Sequence, residues 1–350
     1  MAALAVERVC PAGREDVTSM RVERFSDWAV PGIGEAGWNR LVEQCRAPVP
    51  FATWQFQTAW FRAFAPGPLH LLAAQDGAGE WVGLLPLYET PTPEGPVLRL
   101  VGGTDISDYL DLIAAAGREE EVWKAMLPVI GDLGWHTVDL RPVPAASPTA
   151  SLLAGLAAAA GLRCRVDVEE RCPVIELADT WDGYLATLPG KDRHELRRKI
   201  RRAEAGRPRI EVARSADAMS ALMDGFVALH RLSKVGKAKF MDEPMEKFFR
   251  ELGCGLAESG LAALWMLWLE DRPAAALFCL EQAGSVSLYN SGFDPEARAM
   301  SPGVVLIART IEDAIARGFR RYDFLRGEEP YKYGFGAAPT EVLRLTLERS

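Results

Sequence analysis

The chain has 350 residues, 49% of them hydrophobic and 25% charged, with a formal net charge of −8. That length and balance suit two globular domains, each able to bury a core of good size. The acidic balance argues against general affinity for nucleic acid or anionic membrane. The six scattered cysteines, with no C-x-x-C pair and four histidines in all, argue against structural zinc. Reduced thiols and the absence of a basic, long-apolar leader at Met1–Cys10 point to a cytoplasmic protein. The apolar run Leu261–Leu269 is too short to span a membrane.

In chain order, Leu4–Val9 reads as a first strand, followed by helices at Trp38–Cys45 and Gln55–Phe64. Strands at Leu69–Gln75, Trp81–Tyr88 and Val97–Val101 are separated by Asp-Gly and Pro-rich turns. A helix follows at Glu119–Ile130, with Val122, Met126, Leu127 and Ile130 on one face. A strand at His136–Leu140, a helix opened by Ser147-Pro148 and a strand at Arg163–Val168 complete this half.

The second half repeats the order. Helices at Trp181–Leu188 and Asp192–Ala205 lead to a strand at Arg209–Ala213, then helices at Ala216–Leu232 and Pro244–Glu258. Three strands, Leu261–Leu269, Ala274–Leu280 and Val286–Phe293, form a meander. A helix starting at Ser301-Pro302-Gly303 and strands at Arg320–Leu325 and Glu341–Leu347 close it. Each half thus reads strand, two helices, three strands, helix, strand and return strand. An internal repeat of this kind argues for duplicated domains, divided near Val174–Asp179.

Two segments of the second half carry charge or titratable groups in patterns worth weighing. Lys191–Arg202 reads KDRHELRRKIRR, with Asp192 and Glu195 in capping-box positions. Arg193, Arg197 and Arg201 recur at i, i+4. They form either a solvated face or an anion clamp at the domain junction, since guanidinium forks suit phosphate and carboxylate. His230, near the end of its helix, is either a histidine favoured by the helix dipole or a general base. The basic loop Lys234–Phe240 reads as a flexible segment or lid.

The most informative stretch is Val286–Lys332. Ser301 reads as the N-cap of a helix with Pro302 in its first turn, an apolar stripe at Val304, Ile307, Ala308, Ile311, Ala314 and Ile315, and Gly318 at its end. Unpaired N–H groups at such a start can hold phosphate. Arg298-Ala-Met-Ser-Pro-Gly303 resembles the pyrophosphate loop of the GNAT acyltransferase superfamily, Q/R-x-x-G-x-G/A, with Ser301 in place of the first glycine. With SGFDPE, SPG and Asp323-Phe-Leu-Arg-Gly327-Glu-Glu-Pro-Tyr331-Lys332, the stretch resembles the acetyltransferase domain of bacterial cellulose-biosynthesis-associated proteins. That GNAT branch is related to the Fem transferases, which build peptidoglycan bridges.

The resemblance implies an α/β fold, a mixed sheet of the α+β kind, with tandem GNAT-like domains. The expected division is 1–175, a degenerate copy without the arginine-to-glycine loop, and 176–350, a bacterial acyltransferase domain. It implies acetyl-CoA or another acyl-CoA as co-substrate, held by Arg298, Ser301, Gly303 and Val304, with no metal. Tyr331, His230 and Asp323 are the catalytic candidates; Arg193, Arg197 and Lys332 are the substrate-binding ones. Tyr331 is either a packed aromatic or the acid that protonates the departing thiolate. The acceptor is an amine or hydroxyl of a small molecule or cell-envelope precursor. No nucleophile stands in an elbow or triad pattern, so direct attack is expected. The alternatives are a Fem-like donor, aminoacyl-tRNA, with the Arg193 helix on RNA phosphate, and a non-catalytic protein with decayed sites.

Overall fold

The computed structural model describes residues 20–64 and 67–349. The expected strand at Leu4–Val9 lies outside them. The chain divides into two compact units: 1–170 with 341–350, and 171–340.

In the first unit the order is β1 (Arg21–Phe25), α1 (Gly34–Gln44), α2 (Trp54–Phe64), β2 (Leu69–Gln75), β3 (Trp81–Thr90) and β4 (Val97–Leu100). Then come β5 (Ile113–Ala114), α3 (Glu119–Asp132), β6 (Thr137–Pro144), α4 (Pro148–Ala159) and the start of β7 (Leu162–Glu176). The helix opened by Ser147 is built as its sequence indicates: Ser147 Oγ accepts from Thr149 N–H at 3.0 Å.

In the second unit come α5 (Trp181–Thr187), α6 (Gly190–Ala205), β8 (Arg209–Ala213), α7 (Ala216–Ser233), α8 (Val235–Phe240) and α9 (Glu243–Glu258). They are followed by β9 (Ala262–Leu269), β10 (Arg272–Gln282), β11 (Ser285–Phe293), a 3₁₀ turn (Pro295–Met300) and α10 (Pro302–Ala316). Then β12 (Arg321–Asp323), α11 (Pro330–Tyr333) and β13 (Ala338–Arg349) end the chain.

The strand orders show the repeat. The first unit runs β1-β2-β3-β4-β6, antiparallel until the parallel β4–β6 pair that α3 connects. The second runs β8-β9-β10-β11-β12, antiparallel until the parallel β11–β12 pair that α10 connects. Each is extended by one antiparallel strand taken from the other half of the sequence. Residues 342–348 of β13 pair with β6, and residues 174–176 of β7 pair with β12. The sequence reading kept each return strand with its own half. Alternation alone marks a strand without naming its partner.

In the second unit, α10 lays Val305, Leu306 and Ile311 on Leu277 and Cys279 of β10, Leu288 of β11 and Tyr322 of β12. The opposite sheet face carries α7 and α9, where Phe226, Phe249, Phe278 and Tyr289 pack together, Phe249 stacked on Tyr289 and the other rings tilted or edge-on. The start of α6 differs from expectation. The helix begins at Gly190 with Pro189 before it, so Asp192 and Glu195 form no capping box. Glu195 instead takes a two-pronged ion pair from Arg198, at 2.8 and 2.7 Å, which with Lys199 holds its carboxyl down at about 2.

Candidate active site

The site grows from a gap in the second sheet. β12 pairs with β11 over three positions only: Ser285 with Arg321, Val286 with Tyr322, and Ser287 with Asp323. β11 then continues to Phe293, while the chain leaves β12 through Leu325 in a left-handed conformation (φ 56°). Beyond Ser287, one edge of β11 therefore has no strand beside it among the described residues. The register against β10 slips by one residue, so that Tyr289 is an extra residue on β11. Such a bulge turns the edge and re-aims its side chains.

Side chains occupy that edge. Ser291 N–H is 3.2 Å from Asn290 Oδ1, and its carbonyl accepts from Lys237 Nζ, which also reaches Ser291 Oγ at 3.3 Å. Phe293 N–H donates to Ser233 Oγ at 2.7 Å, and that hydroxyl has Leu229 O at 2.7 Å and Phe293 O at 3.2 Å as acceptors. These partners stand at the end of α7 and on α8. The close approach of α7 depends on Gly292, where an added Cβ would lie 2.4 Å from His230 N.

His230 is 1% exposed, flanked by the rings of Phe226 and Phe240, and its Nδ1 has no hydrogen-bond partner among the described residues. Burial first, then the charge of Lys237, pushes its pKa down to about 4. The imidazole is neutral at pH 7 and a weak proton acceptor there. Lys237 is itself pushed down to about 8, by burial first and by the Lys234 charge next.

Opposite β11, the β12 end is held by two devices. Asp323, 3% exposed, accepts from Leu325 N–H at 2.8 Å. Lys332, 4% exposed, donates to Arg326 O at 2.8 Å, Gly327 O at 2.9 Å and Leu325 O at 3.3 Å, and pairs with Glu329 at 2.9 Å. The ammonium is thus spent on the turn after β12, and its contacts give it a task in shaping that turn. Tyr331 stands edge-on to Phe324, 6.1 Å between centroids, and is 41% exposed. The burial of its hydroxyl end and the Glu329 charge raise its phenol above the ordinary value.

At the head of α10 the sequence reading is corrected in one respect. Ser301 makes no side-chain cap; it is left-handed, φ 52° and ψ 47°, and ends the 3₁₀ turn that contains Arg298. The residue standing at the first-glycine position of the loop pattern thus adopts the conformation glycine favours. Its carbonyl accepts from Val305 N–H at 3.1 Å, leaving the N–H groups of Gly303 and Val304 ahead of the first helical bond. Nothing lies within 4 Å of a Cβ added at Gly303, so the helix start is open above it.

The basic helix lies elsewhere. Its C-terminal end meets the 3₁₀ turn, where a Cβ on Gly206 would lie 3.0 Å from Met300. Arg197 and Arg193 are therefore about 14 and 20 Å further along the axis. Arg193 reaches the carbonyls of Leu185 and Ala186 at 3.5 and 3.4 Å, and Arg197 is exposed. The structure brings His230, Asp323, Tyr331 and Lys332 to the two sides of the β11–β12 gap. It gathers Arg298, Ser301, Gly303 and Val304 at the α10 start. Lys237, Asn290, Ser291 and Ser233 escaped the sequence reading. Gly236 and the short SKVGKAKF run suggest a loop where the chain folds as α8.

The head of α3 in the first unit offers a contrast. Its first turn holds Glu119, Glu120 and Glu121, and Arg46 pairs with Glu119 at 3.3 Å. Carboxylates already occupy the positive end of that helix.

The model of the acetyltransferase (GNAT) domain family matches residues 190–333. That segment runs from the first residue of α6 to the last of α11, and so contains the gap, the α10 start and the basic helix. Among curated proteins none matches. Among solved structures, that of FemX is similar at a TM-score of 0.66 and 11% identity, over 88% of this chain and 94% of that one. A conserved protein of unknown function from Bacteroides thetaiotaomicron gives 0.58 at 10% identity, over 99% and 100%. L-PGS from Bacillus licheniformis gives 0.53 at 11% identity, over 84% and 91%. At such identities the likeness shows the fold alone, a mixed α/β sheet protein. Over residues 190–333 the match to the acetyltransferase domain model indicates a transferase. No helix of the described residues is long and apolar enough to cross a membrane.

Proposed function

We propose that residues 171–340 transfer an acyl group from acyl-CoA, with acetyl the expected group, to an amine by direct attack. The observation that carries this reading is the gap between β11 and β12 together with the helix start open above Gly303. A pyrophosphate there would take N–H groups of Gly303 and Val304, with Arg298 beside it in the preceding turn. Pro302 has no N–H to give, so the cradle holds fewer donors than a glycine-lined one.

The thioester arm would run into the gap, its carbonyl polarised by backbone N–H groups of β11. The acceptor nitrogen attacks that carbon, a C–N bond forms, and the C–S bond breaks. The proton leaving the nitrogen passes to water, Tyr331 gives its own to the departing sulfur, and water returns one to the tyrosine. Asp323 and Lys332 keep the turn that carries Tyr331 in place. Cys279 and Cys254 of this unit suit no covalent step, since burial raises the pKa of each thiol. The first unit, with carboxylates at the α3 start, would serve as scaffold.

One observation favours a second reading, transfer from aminoacyl-tRNA. α6 carries Lys191, Arg193, Arg197, Arg198, Lys199, Arg201 and Arg202 against Asp192, Glu195 and Glu204, in a chain of net charge −8. Such a helix suits RNA phosphate.

Calorimetry with acetyl-CoA decides between them. The wild type should bind, and Gly303→Glu, which puts a carboxylate at the helix start, should lose at least about tenfold in affinity. Equal binding by both proteins would place CoA elsewhere. No CoA binding, with salt-sensitive tRNA binding, would favour the second reading.

A further inference from the structure

The ammonium of Lys237 is oddly placed for a group that only satisfies a strand edge. Its contacts are the carbonyl and hydroxyl of Ser291, and among the described residues it makes no ion pair. Two residues along the same edge, Phe293 N–H is met by the neutral hydroxyl of Ser233, whose oxygen lies 2.7 Å from Leu229 O and 3.2 Å from Phe293 O. Hydrogen bonding therefore does not require a charge there.

The surroundings deepen the imbalance. Lys234, Lys332 and Glu329 all lie close enough to act on the Lys237 charge, and His230 of α7 feels the charges of Lys237 and Arg231. Glu329 is the one acid of this group, and its carboxylate is held by Lys332 at 2.9 Å. His230 is neutral above about pH 4. Lys237 thus sits partly out of water among like charges, with the nearby carboxylate already engaged. Removing an ammonium from water is costly unless an anion meets it.

We propose that Lys237, with Lys234 beside it, binds a carboxylate or phosphate of the second substrate at the free edge of β11. The acceptor would then be an anionic amine, its charge on Lys237 and its nitrogen in the β11–β12 gap. This deepens the acyl-transfer reading and rests on it for the acceptor's role. The anion site itself stands apart from the donor. An anion on Lys237 raises its pKa, so binding weakens as pH rises above about 8.

The test is titration of inorganic phosphate and, separately, of succinate, followed by NMR at the Asn290, Ser291 and Gly292 amides. It is run on wild type, Lys237→Met, Lys237→Arg and Gly303→Glu. The last protein blocks the α10 start, so binding that survives there is not the pyrophosphate cradle. Shifts at these amides are expected in wild type and Gly303→Glu. Lys237→Arg should retain them, and Lys237→Met should need at least about tenfold more anion. A phosphate-only response names a phosphate-bearing acceptor; a succinate response names a carboxylate. Equal response in Lys237→Met, or none in wild type, overturns the site. Acetyl-CoA binding without anion binding sinks this proposal alone. Anion binding without acetyl-CoA binding sinks the donor assignment alone.

Discussion

At the scale of single residues, two positions carry measurable tension. Ser301 holds φ 52° between the 3₁₀ turn and α10 without a compensating side-chain cap. A left-handed L-residue costs about 1–2 kcal/mol that glycine does not incur, offset in part by glycine's looser unfolded chain. Ser301→Gly should therefore stabilise the protein by up to about 1 kcal/mol in thermal or urea unfolding. A loss of stability would mean that the hydroxyl has a partner that outweighs the strain. Asp111 of the first unit presents the opposite case. It takes hydrogen bonds from Ser147 Oγ and from Leu112 N–H, yet burial lifts its pKa from 3.8 to about 6. Between those values the folded chain keeps a proton that the unfolded chain releases. This group's contribution is full below pH 3.8 and is lost as pH rises through about 6. Asp111→Asn should remove that slope and narrow the stability gap between pH 4 and pH 7 by about 1–2 kcal/mol. Parallel curves for the two proteins would assign the slope elsewhere.

At the scale of elements, periodicity made most of the fold legible. The stripe from Val304 to Ile315 is α10, and the alternating meander is β9 to β11. Ser147-Pro148, Thr180, Ser215 and Asp242 each cap the helix they precede. Failures cluster where local chemistry is overruled by neighbours. Asp192 and Glu195 fit a capping box on paper, but the helix starts earlier because Pro189-Gly190 can lead into it. Ser301 fits an N-cap on paper, but the incoming 3₁₀ turn needs a left-handed residue there. The loop pattern itself marked the α10 start, because a glycine-rich run before a helix has a backbone meaning. The Lys237 contact had no such signal. It depends on a helix of six residues, on a bulge at Tyr289 and on how nearly α7 approaches Gly292. All three are tertiary facts, and a lysine in a basic loop gives no hint of them.

At the scale of the whole molecule, the duplication is most informative where it is imperfect. The order of elements repeats, but the strand paired with β6 and the strand paired with β12 are each drawn from the other half of the sequence. Contacts of high sequence separation therefore close the first unit, and the last ten residues carry weight out of proportion to their number. Residues 342–348 pair with β6, and Arg344 reaches across to Asp139 with Nε–Oδ1 at 2.7 Å and Nη2–Oδ2 at 3.1 Å. Asp139 is 3% exposed, and that fork gives each of its carboxylate oxygens a donor. Removing the arginine alone should cost about 3 kcal/mol, because the carboxylate stays buried without its main partner. Ending the chain after Thr340 should do more. β6 would lose its antiparallel neighbour, and Val342, Leu345 and Leu347, all buried, would leave the core. The expected result is selective. Hydrogen exchange should quicken in β3, β4 and β6, which belong to the truncated unit, while β9, β10 and β11 keep their protection. Acetyl-CoA titration of the same truncated protein then asks whether the α10 start works without a sound first unit. Equal loss of protection in both sets of strands would show that the units unfold together, and would end the reading of the first as a separable scaffold.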